Sequence, residues 1–166
     1  KGKSLTAEQC RLLIAAAEGS PCKDAFVFAV HTGLRRSEIF GLQWENVDLE
    51  KHTIDVVQGL QRHKGKGLVI TEPKTDHSKK KGHKVSSTVL DLLIRIKEEQ
   101  RLKMKQWGAT LDDDCYVFTH LGNKPFSPDY ATREFARIAL KVGIKIKPGD
   151  HMTLHSLRHT TATLMD

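Results

Sequence analysis

The sequence predicts an α+β fold: a mainly helical single domain carrying a small antiparallel three-stranded sheet. Three observations predict it. Helix start and stop signals bracket several apolar stretches. Between residues 52 and 86 the pattern changes to short strand-like segments divided by Gly65, Gly67 and Pro73. No internal repeat and no Pro-, Gly- or Ser-rich linker divides the 166 residues, a length suited to one domain with a real core.

Each element has its own signal. Thr6 to Gln9 reads as a capping box, with Leu5 as its staple. The helix that follows should reach about Glu18 and stop at Gly19, Ser20 and Pro21. A strongly apolar helix is expected from Lys23 to His31, ending at Gly33, with His31 and Thr32 capping or packing there. Ser37 to Leu42 suggests a short third helix. His52–Val57, Leu68–Thr71 and His83–Ser86 are the expected strands of the sheet. Ser87 to Gln106 predicts a long helix with an apolar stripe at Leu90, Leu93 and Ile94. Cys115 to Thr119 reads as a short buried segment before a Gly-Asn turn. Ser127 and Pro128 fit the N-cap and N1 of a helix to about Val142, ended by Gly143. A last helix should begin near Thr153 and still be running at Asp166, which leads us to expect that the domain continues in a longer parent. Trp44 and Phe40 are expected in the core.

Composition narrows the function classes. Hydrophobic residues make up 39% and charged residues 28%, which excludes a disordered chain. No apolar run approaches a membrane span, and the first residues lack a signal-peptide core. Cys10, Cys22 and Cys115 are scattered, suiting reduced thiols in the cytoplasm rather than a disulfide framework or zinc spacing. The net charge is +7, and it is concentrated. Gln61 to Lys84 holds seven lysines and one arginine against Glu72 and Asp76, so the rest of the chain is nearly neutral. Such a patch attracts a phosphate backbone. It would equally suit a lysine-rich hairpin guarding an exposed strand edge.

Two motifs sharpen the reading. "TGLRRSE" (Thr32 to Glu38) puts arginines at the edge of an apolar stretch, where they need an anionic partner. "HSLRH" (His155 to His159) sets His155 and Arg158 three apart, on one face of the expected last helix. A histidine moves protons near neutral pH, and an arginine presents a planar fork to phosphate. With Arg35 and a hairpin lysine, the set matches phosphoryl transfer without a metal.

These motifs, together with "LQWENVDLEKHTIDV", "PKTDHSKKKGHKV" and "YVFTHLGNKPFSP", resemble the tyrosine recombinase, or phage-type integrase, family. The resemblance runs from about Leu5 to Met165 and implies the fold of that family's catalytic domain. It implies that Arg35 and Arg158 clamp a scissile DNA phosphate. Lys74 would protonate the leaving 5′ oxygen, and His155 would assist proton transfer. Glu38 would position an arginine, and Arg36 would make a surface or backbone contact. Lys74 is favoured over its hairpin rivals by the strand–turn context of "TEPKT". Lys64, Lys66, Lys79, Lys80, Lys81 and Lys84 would contact DNA. Duplex DNA and other recombinase protomers, in a synaptic tetramer, are the implied partners. A phosphotyrosine intermediate conserves the bond energy, so no cofactor is expected.

The family pattern continues beyond H-x-x-R with a second His or Trp and then a nucleophilic tyrosine. Neither is found here, so residues 1–166 read as a partial catalytic domain, cleavage-incompetent by itself and separate from the family's N-terminal DNA-clamping domain. Tyr116 and Tyr130 precede the box and are expected to be structural. His151, His155 and His159 imitate metal-ligand spacing, but Pro148, Gly149 and Arg158 argue against a metal; His159 is expected to be buried and hydrogen-bonded. A non-catalytic basic DNA-binding module is the alternative. A metal-dependent nuclease would need clustered carboxylates, and Asp112 to Asp114 reads only as a solvated loop.

Overall fold

A computed structural model describes residues 5–72, 79–120, 124–144 and 157. Helix α1 spans Ala7–Ala16, α2 Lys23–Thr32 and α3 Arg36–Phe40. A 3₁₀ turn at Trp44–Asn46 leads into β1 (Val47–Asp48), β2 (Thr53–Val56), β3 (Gly59–His63), β4 (Gly67–Thr71) and β5 (Lys80–Lys84). Helix α4 covers Ser87–Gln106 and α5 Pro128–Lys141. The expected α+β class and the small antiparallel sheet are present.

The helix ends follow their signals. The Thr6 hydroxyl accepts from the Gln9 N–H at 3.1 Å, and the Gln9 side chain accepts from the Thr6 N–H at 3.0 Å. Leu5 is buried beside this reciprocal cap. Ser86 caps α4 through the Val89 N–H. Ser127 occupies the cap position of α5 with Pro128 following, but its buried hydroxyl has no hydrogen-bond partner among the described residues.

The α4 stripe differs from the expected one. Val89, Leu92, Leu93 and Ile96 are buried, whereas Ile94 is 48% exposed. Both registers satisfy the i, i+3, i+4 rule over two turns. The third turn separates them, because the buried face continues to Gln100 and the other meets Lys97. Gln100 accepts from the Trp44 indole N–H at 2.7 Å and donates to the Val117 carbonyl at 2.8 Å. Lys97 lies over the Trp44 ring, 5.3 Å from its centroid. Trp44 and Phe40 are buried, as expected.

The strands also pair differently. Leu68–Thr71 was expected in the same sheet as the segment after His52. Instead the three-stranded sheet runs β1–β2–β5, and β4 forms a separate hairpin with β3. "GLQRH" carries little β-propensity or alternation, so pairing is imposed by the hairpin register Gly59↔Thr71 to His63↔Gly67. Gly65 at φ 82° lies in the turn between them.

The core joins helices and loops through aromatic edges. Phe26 meets Phe135 at 5.7 Å between centroids, and Phe28 meets Phe118 at 5.1 Å. Cys115, Val117 and Phe118 are buried, as expected for that segment, while Asp112 to Asp114 are exposed. The Gly-Asn turn and almost all of the expected last helix lie outside the described residues. Leu157 is helical, fully buried and part of the core. Cys10, Cys22 and Cys115 are buried without a disulfide. Burial, reinforced by Glu134, pushes the Cys22 thiol up to about 12, which keeps it unreactive. Among the described residues no helix is long and apolar enough to cross a membrane.

Candidate functional site

Arg35 is delivered by a sharp exit from α2. Gly33 adopts the left-handed conformation, φ 62°, and its N–H closes on the Ala29 carbonyl at 3.0 Å. A side chain there would be strained. Thr32 donates its hydroxyl hydrogen to the Phe28 carbonyl at 2.8 Å and accepts from the Leu34 N–H at 3.4 Å. Leu34 is buried, so Arg35 emerges next to a fixed point.

Glu38 then holds Arg35 twice. The Arg35 backbone N–H donates to Glu38 Oε2 at 2.7 Å, and Arg35 Nη1 donates to Oε1 at 3.0 Å. Arg35 is the N-cap of α3, in extended conformation. Its side chain has no acceptor, so only Glu38's half of a capping box is made. Glu38 is 8% exposed, while 52% of the Arg35 side chain meets solvent. A buried carboxylate is costly unless paired, and this pairing fixes one edge of the fork while leaving the rest open. Arg36 turns elsewhere. Its Nη1 donates to Thr132 Oγ1 at 2.7 Å and lies 3.6 Å from Asp129, so it ties α3 to α5 within the molecule.

The base of the β3–β4 hairpin rests on α3 through glycines. A Cβ on Gly41 would lie 3.0 Å from the Gly59 and Leu60 backbones. A Cβ on Gly59 would lie 3.1 Å from Ser37 Cβ and from Thr71 Oγ1. Gln58 Nε2 donates to the Gly41 carbonyl at 2.9 Å and to Gln43 Oε1 at 2.7 Å. Thr71, three residues before Lys74, therefore shares a seat with the helix that carries Arg35. This mount was not anticipated; the only signal was a pair of glycines, Gly41 and Gly59, in otherwise ordinary context.

The lysines do not form one surface. Lys64 and Lys66 are exposed at the hairpin turn. In β5, His83 pairs with Ile54 and Lys80 with Val56, with a register shift between them. Gly82 takes φ 63°, and its N–H donates to Asp55 Oδ1 at 2.6 Å. The extra residue of this bulge sets Lys80 and His83 on the same inner face as buried Ile54 and Val56. Lys81 lines a recess on the opposite face with Glu45, Asp48, Glu50 and Asp55 and with two further lysines, Lys51 and Lys97. Lys79, Lys81 and Lys84 are exposed and Lys80 is half-buried. β5 is an edge strand, so the lysine-rich guard also describes it. Lys74, His155, Arg158 and His159 lie outside the described residues, as does His151. Among the described residues no group of three or more His, Cys, Asp or Glu side chains is placed to hold a metal.

Tyr116 and Tyr130 have structural surroundings. Burial and then Asp114 push the Tyr116 phenol up. Burial, followed by Cys22 and Glu134, raises that of Tyr130, whose ring stacks on Phe126 at 5.9 Å. A raised pKa disfavours the phenolate that nucleophilic attack requires.

Fold and site define a chain that fixes an arginine fork at a helix start beside a basic, glycine-seated hairpin. The chain belongs to the phage integrase family, whose model matches residues 3–166. It is 31% identical over 137 residues to the integrase of Staphylococcus phage L54a, covering 81% of this chain and 37% of that protein. It is 28% identical over 168 residues to a XerC-like tyrosine recombinase of Caldanaerobacter subterraneus subsp. tengcongensis, covering 94% and 41%. The fold matches the Tn1549 transposon integrase, solved in complex with circular intermediate DNA, with a TM-score of 0.76 and 27% identity, covering 98% of this chain and 53% of that one. The chain thus spans less than half the length of these two curated relatives.

Proposed function

We propose that this chain grips the scissile phosphate in a tyrosine-type site-specific DNA recombinase, an integrase of a mobile element acting in the cytoplasm. The carrying observation is the Arg35–Glu38 pair. A buried carboxylate fixes one guanidinium edge and the backbone behind it, while half the side chain stays open to an anion. A cation fixed before substrate arrives suits charge that grows during reaction, because little reorganisation is then needed. A purely binding lysine or arginine needs no such support, which weighs against the non-catalytic module.

In this reading Arg35 and Arg158 neutralise the non-bridging oxygens, Lys74 protonates the leaving 5′ oxygen, and His155 manages a proton at the phosphate or the nucleophile. His159 supports the box from within. Of the lysines the sequence offers, Lys64, Lys66, Lys79 and Lys84 hold the duplex, and Lys80 and Lys81, turned to opposite faces of β5, take the smaller share. The tyrosine that attacks the phosphate, giving a 3′-phosphotyrosyl link and a free 5′ hydroxyl, belongs to the parent's sequence outside residues 1–166, as does the DNA-clamping domain. The exchange conserves one phosphodiester and calls for no cofactor or metal. Partner protomers assemble a synaptic tetramer on two DNA duplexes.

The test is a nicked suicide substrate run on a denaturing gel. The 166-residue chain alone gives no covalent band, whereas the parent gives one that survives Tyr116→Phe and Tyr130→Phe. A band from the chain alone, lost in either variant, overturns the structural assignment of those tyrosines. A parent that binds the DNA and never cleaves it favours the binding module.

A further inference from the structure

Gln58 lies between β2 and β3, where the chain leaves the sheet and enters the hairpin. Its amide spends both hydrogens: Nε2 donates to the Gly41 carbonyl at 2.9 Å and to Gln43 Oε1 at 2.7 Å. A carbonyl can only accept, so the first bond fixes which end of the Gln58 amide is nitrogen. The Gln43 oxygen is then committed to Gln58, and Gln43 Nε2 donates to the Asp114 carbonyl at 2.6 Å. Each amide in this relay has one consistent orientation.

The two sides of the relay differ in firmness. Residues 41–44 are strapped to a buried segment: the Leu42 carbonyl accepts from the Val117 N–H at 2.9 Å, and the Trp44 N–H donates to the Cys115 carbonyl at 3.0 Å. Leu42, Trp44 and Val117 are themselves buried. On the other side, β3 and β4 form a sheet of two strands. Such a ribbon has little stability of its own and takes its direction from its base. That base is Gly59, the residue after Gln58, paired with Thr71 at the end of β4. Gly41 is also the C-cap of α3, the short helix whose N-cap is Arg35.

We propose that Gln58 is a positioning residue: its amide sets the hairpin against the end of α3, and so fixes the approach of the chain leading to Lys74 relative to Arg35. The inference rests on the reading of Lys74 as the acid for the leaving 5′ oxygen. When the relay slackens, the hairpin swings while Glu38 still holds Arg35. Proton delivery then fails before binding does, because a general acid must come within hydrogen-bond reach of its oxygen.

The test uses two nicked suicide duplexes and the integrase containing this chain. One duplex has oxygen at the 5′ bridging position of the scissile phosphate, the other sulfur. A thiolate leaves without needing a proton, so sulfur cancels a defect in acid delivery and leaves other defects in place. Gln58→Met keeps the side-chain length and removes both donors. It slows cleavage of the oxygen duplex by roughly tenfold to a hundredfold and cleaves the sulfur duplex at the wild-type rate. DNA affinity changes far less, since solvated lysines act without a defined position. Gln43→Met, which leaves the Gly41 bond in place, shows a smaller loss with the same rescue, and it decides the question if Gln58→Met does not fold. Arg35→Ala stays slow on both duplexes. Equal slowing of the Gln58 and Gln43 variants on the two duplexes overturns the proposal, and so does wild-type cleavage of the oxygen duplex by both. Lys74→Ala separates the two readings. If sulfur rescues Lys74→Ala and not the glutamine variants, only the role of Gln58 falls. If Lys74→Ala stays slow on sulfur, the acid reading falls and the role of Gln58 with it.

Discussion

Arg35 and the hairpin lysines carry the same charge and are mounted in opposite ways. Arg35 follows a buried leucine, starts a helix and is held by a buried carboxylate at 2.7 and 3.0 Å. Lys64 and Lys66 are exposed around a flexible-residue turn. A fixed cation can distinguish a transition state from a ground state, because its geometry is set before charge develops. A solvated lysine contributes to the field of the whole face and releases counterions, and it does this without a defined position. In the proposed function the two regions divide the work, geometry at α3 and attraction at the hairpin.

The largest expected effect tests the fixed member. In the parent integrase, Arg35→Ala should reduce cleavage by roughly a hundredfold to a thousandfold, the scale for losing one preorganised oxyanion donor. DNA affinity should change far less. Arg35→Lys should recover little cleavage, since an ammonium cannot donate to Glu38 and to phosphate from one plane. Parallel losses of cleavage and affinity would show that Arg35 binds ground and transition states alike, and the contrast with the lysines would collapse.

A smaller effect tests whether the two regions are mechanically joined. Gly41→Ala places a Cβ 3.0 Å from the Gly59 and Leu60 backbones, which cannot rotate away as a side-chain tip could. Overpacking of this kind costs about 1–3 kcal/mol. The denaturation midpoint should fall, and the amide shifts of β3 and β4 should move with those of α3. A variant as stable as wild type, with unmoved β3 shifts, would mean that the hairpin is not seated on α3.

Much of this arrangement was legible in the residues. The capping box at Thr6, the stop at Gly33 and the helix start at Ser87 are local chemistry, so short windows carried them, although Ser86, read as a strand end, is the cap of α4. The placement of Glu38 on an arginine was implied by the family resemblance of "TGLRRSE"; the structure shows it made in part as a cap on the Arg35 N–H. What was not legible depends on partners distant in sequence. Strand β3 has no pattern of its own and exists because Gly59 packs on Ser37 and pairs with Thr71. The α4 stripe was misread by one residue because two registers fit until Trp44 selects the face bearing Gln100. The inner face shared by Lys80 and His83 gave no signal, because a one-residue bulge decides which face of a strand a side chain takes.

The smallest effect concerns the lysines individually. Treated as one run, Lys79, Lys80 and Lys81 would each subtract the same amount from the salt dependence of DNA binding. The bulge separates them. Lys81 faces a recess otherwise lined by Glu45, Asp48, Glu50 and Asp55 against Lys51 and Lys97, a net-negative surround that disfavours a phosphate. Lys64 and Lys66 are exposed on the turn between β3 and β4 and do not line that recess. Each lysine that touches a phosphate contributes about 0.9 to the slope of log affinity against log salt. Lys64→Ala and Lys66→Ala should therefore each lower the slope by up to about 0.9, and Lys81→Ala by much less than that. Filter binding of a duplex across a salt series measures all three. Equal losses would show that DNA wraps over the acidic recess as well, so that the sheet edge is part of the phosphate track. A loss at Lys81 alone would reverse the assignment and make the hairpin turn a solvated loop with no part in binding.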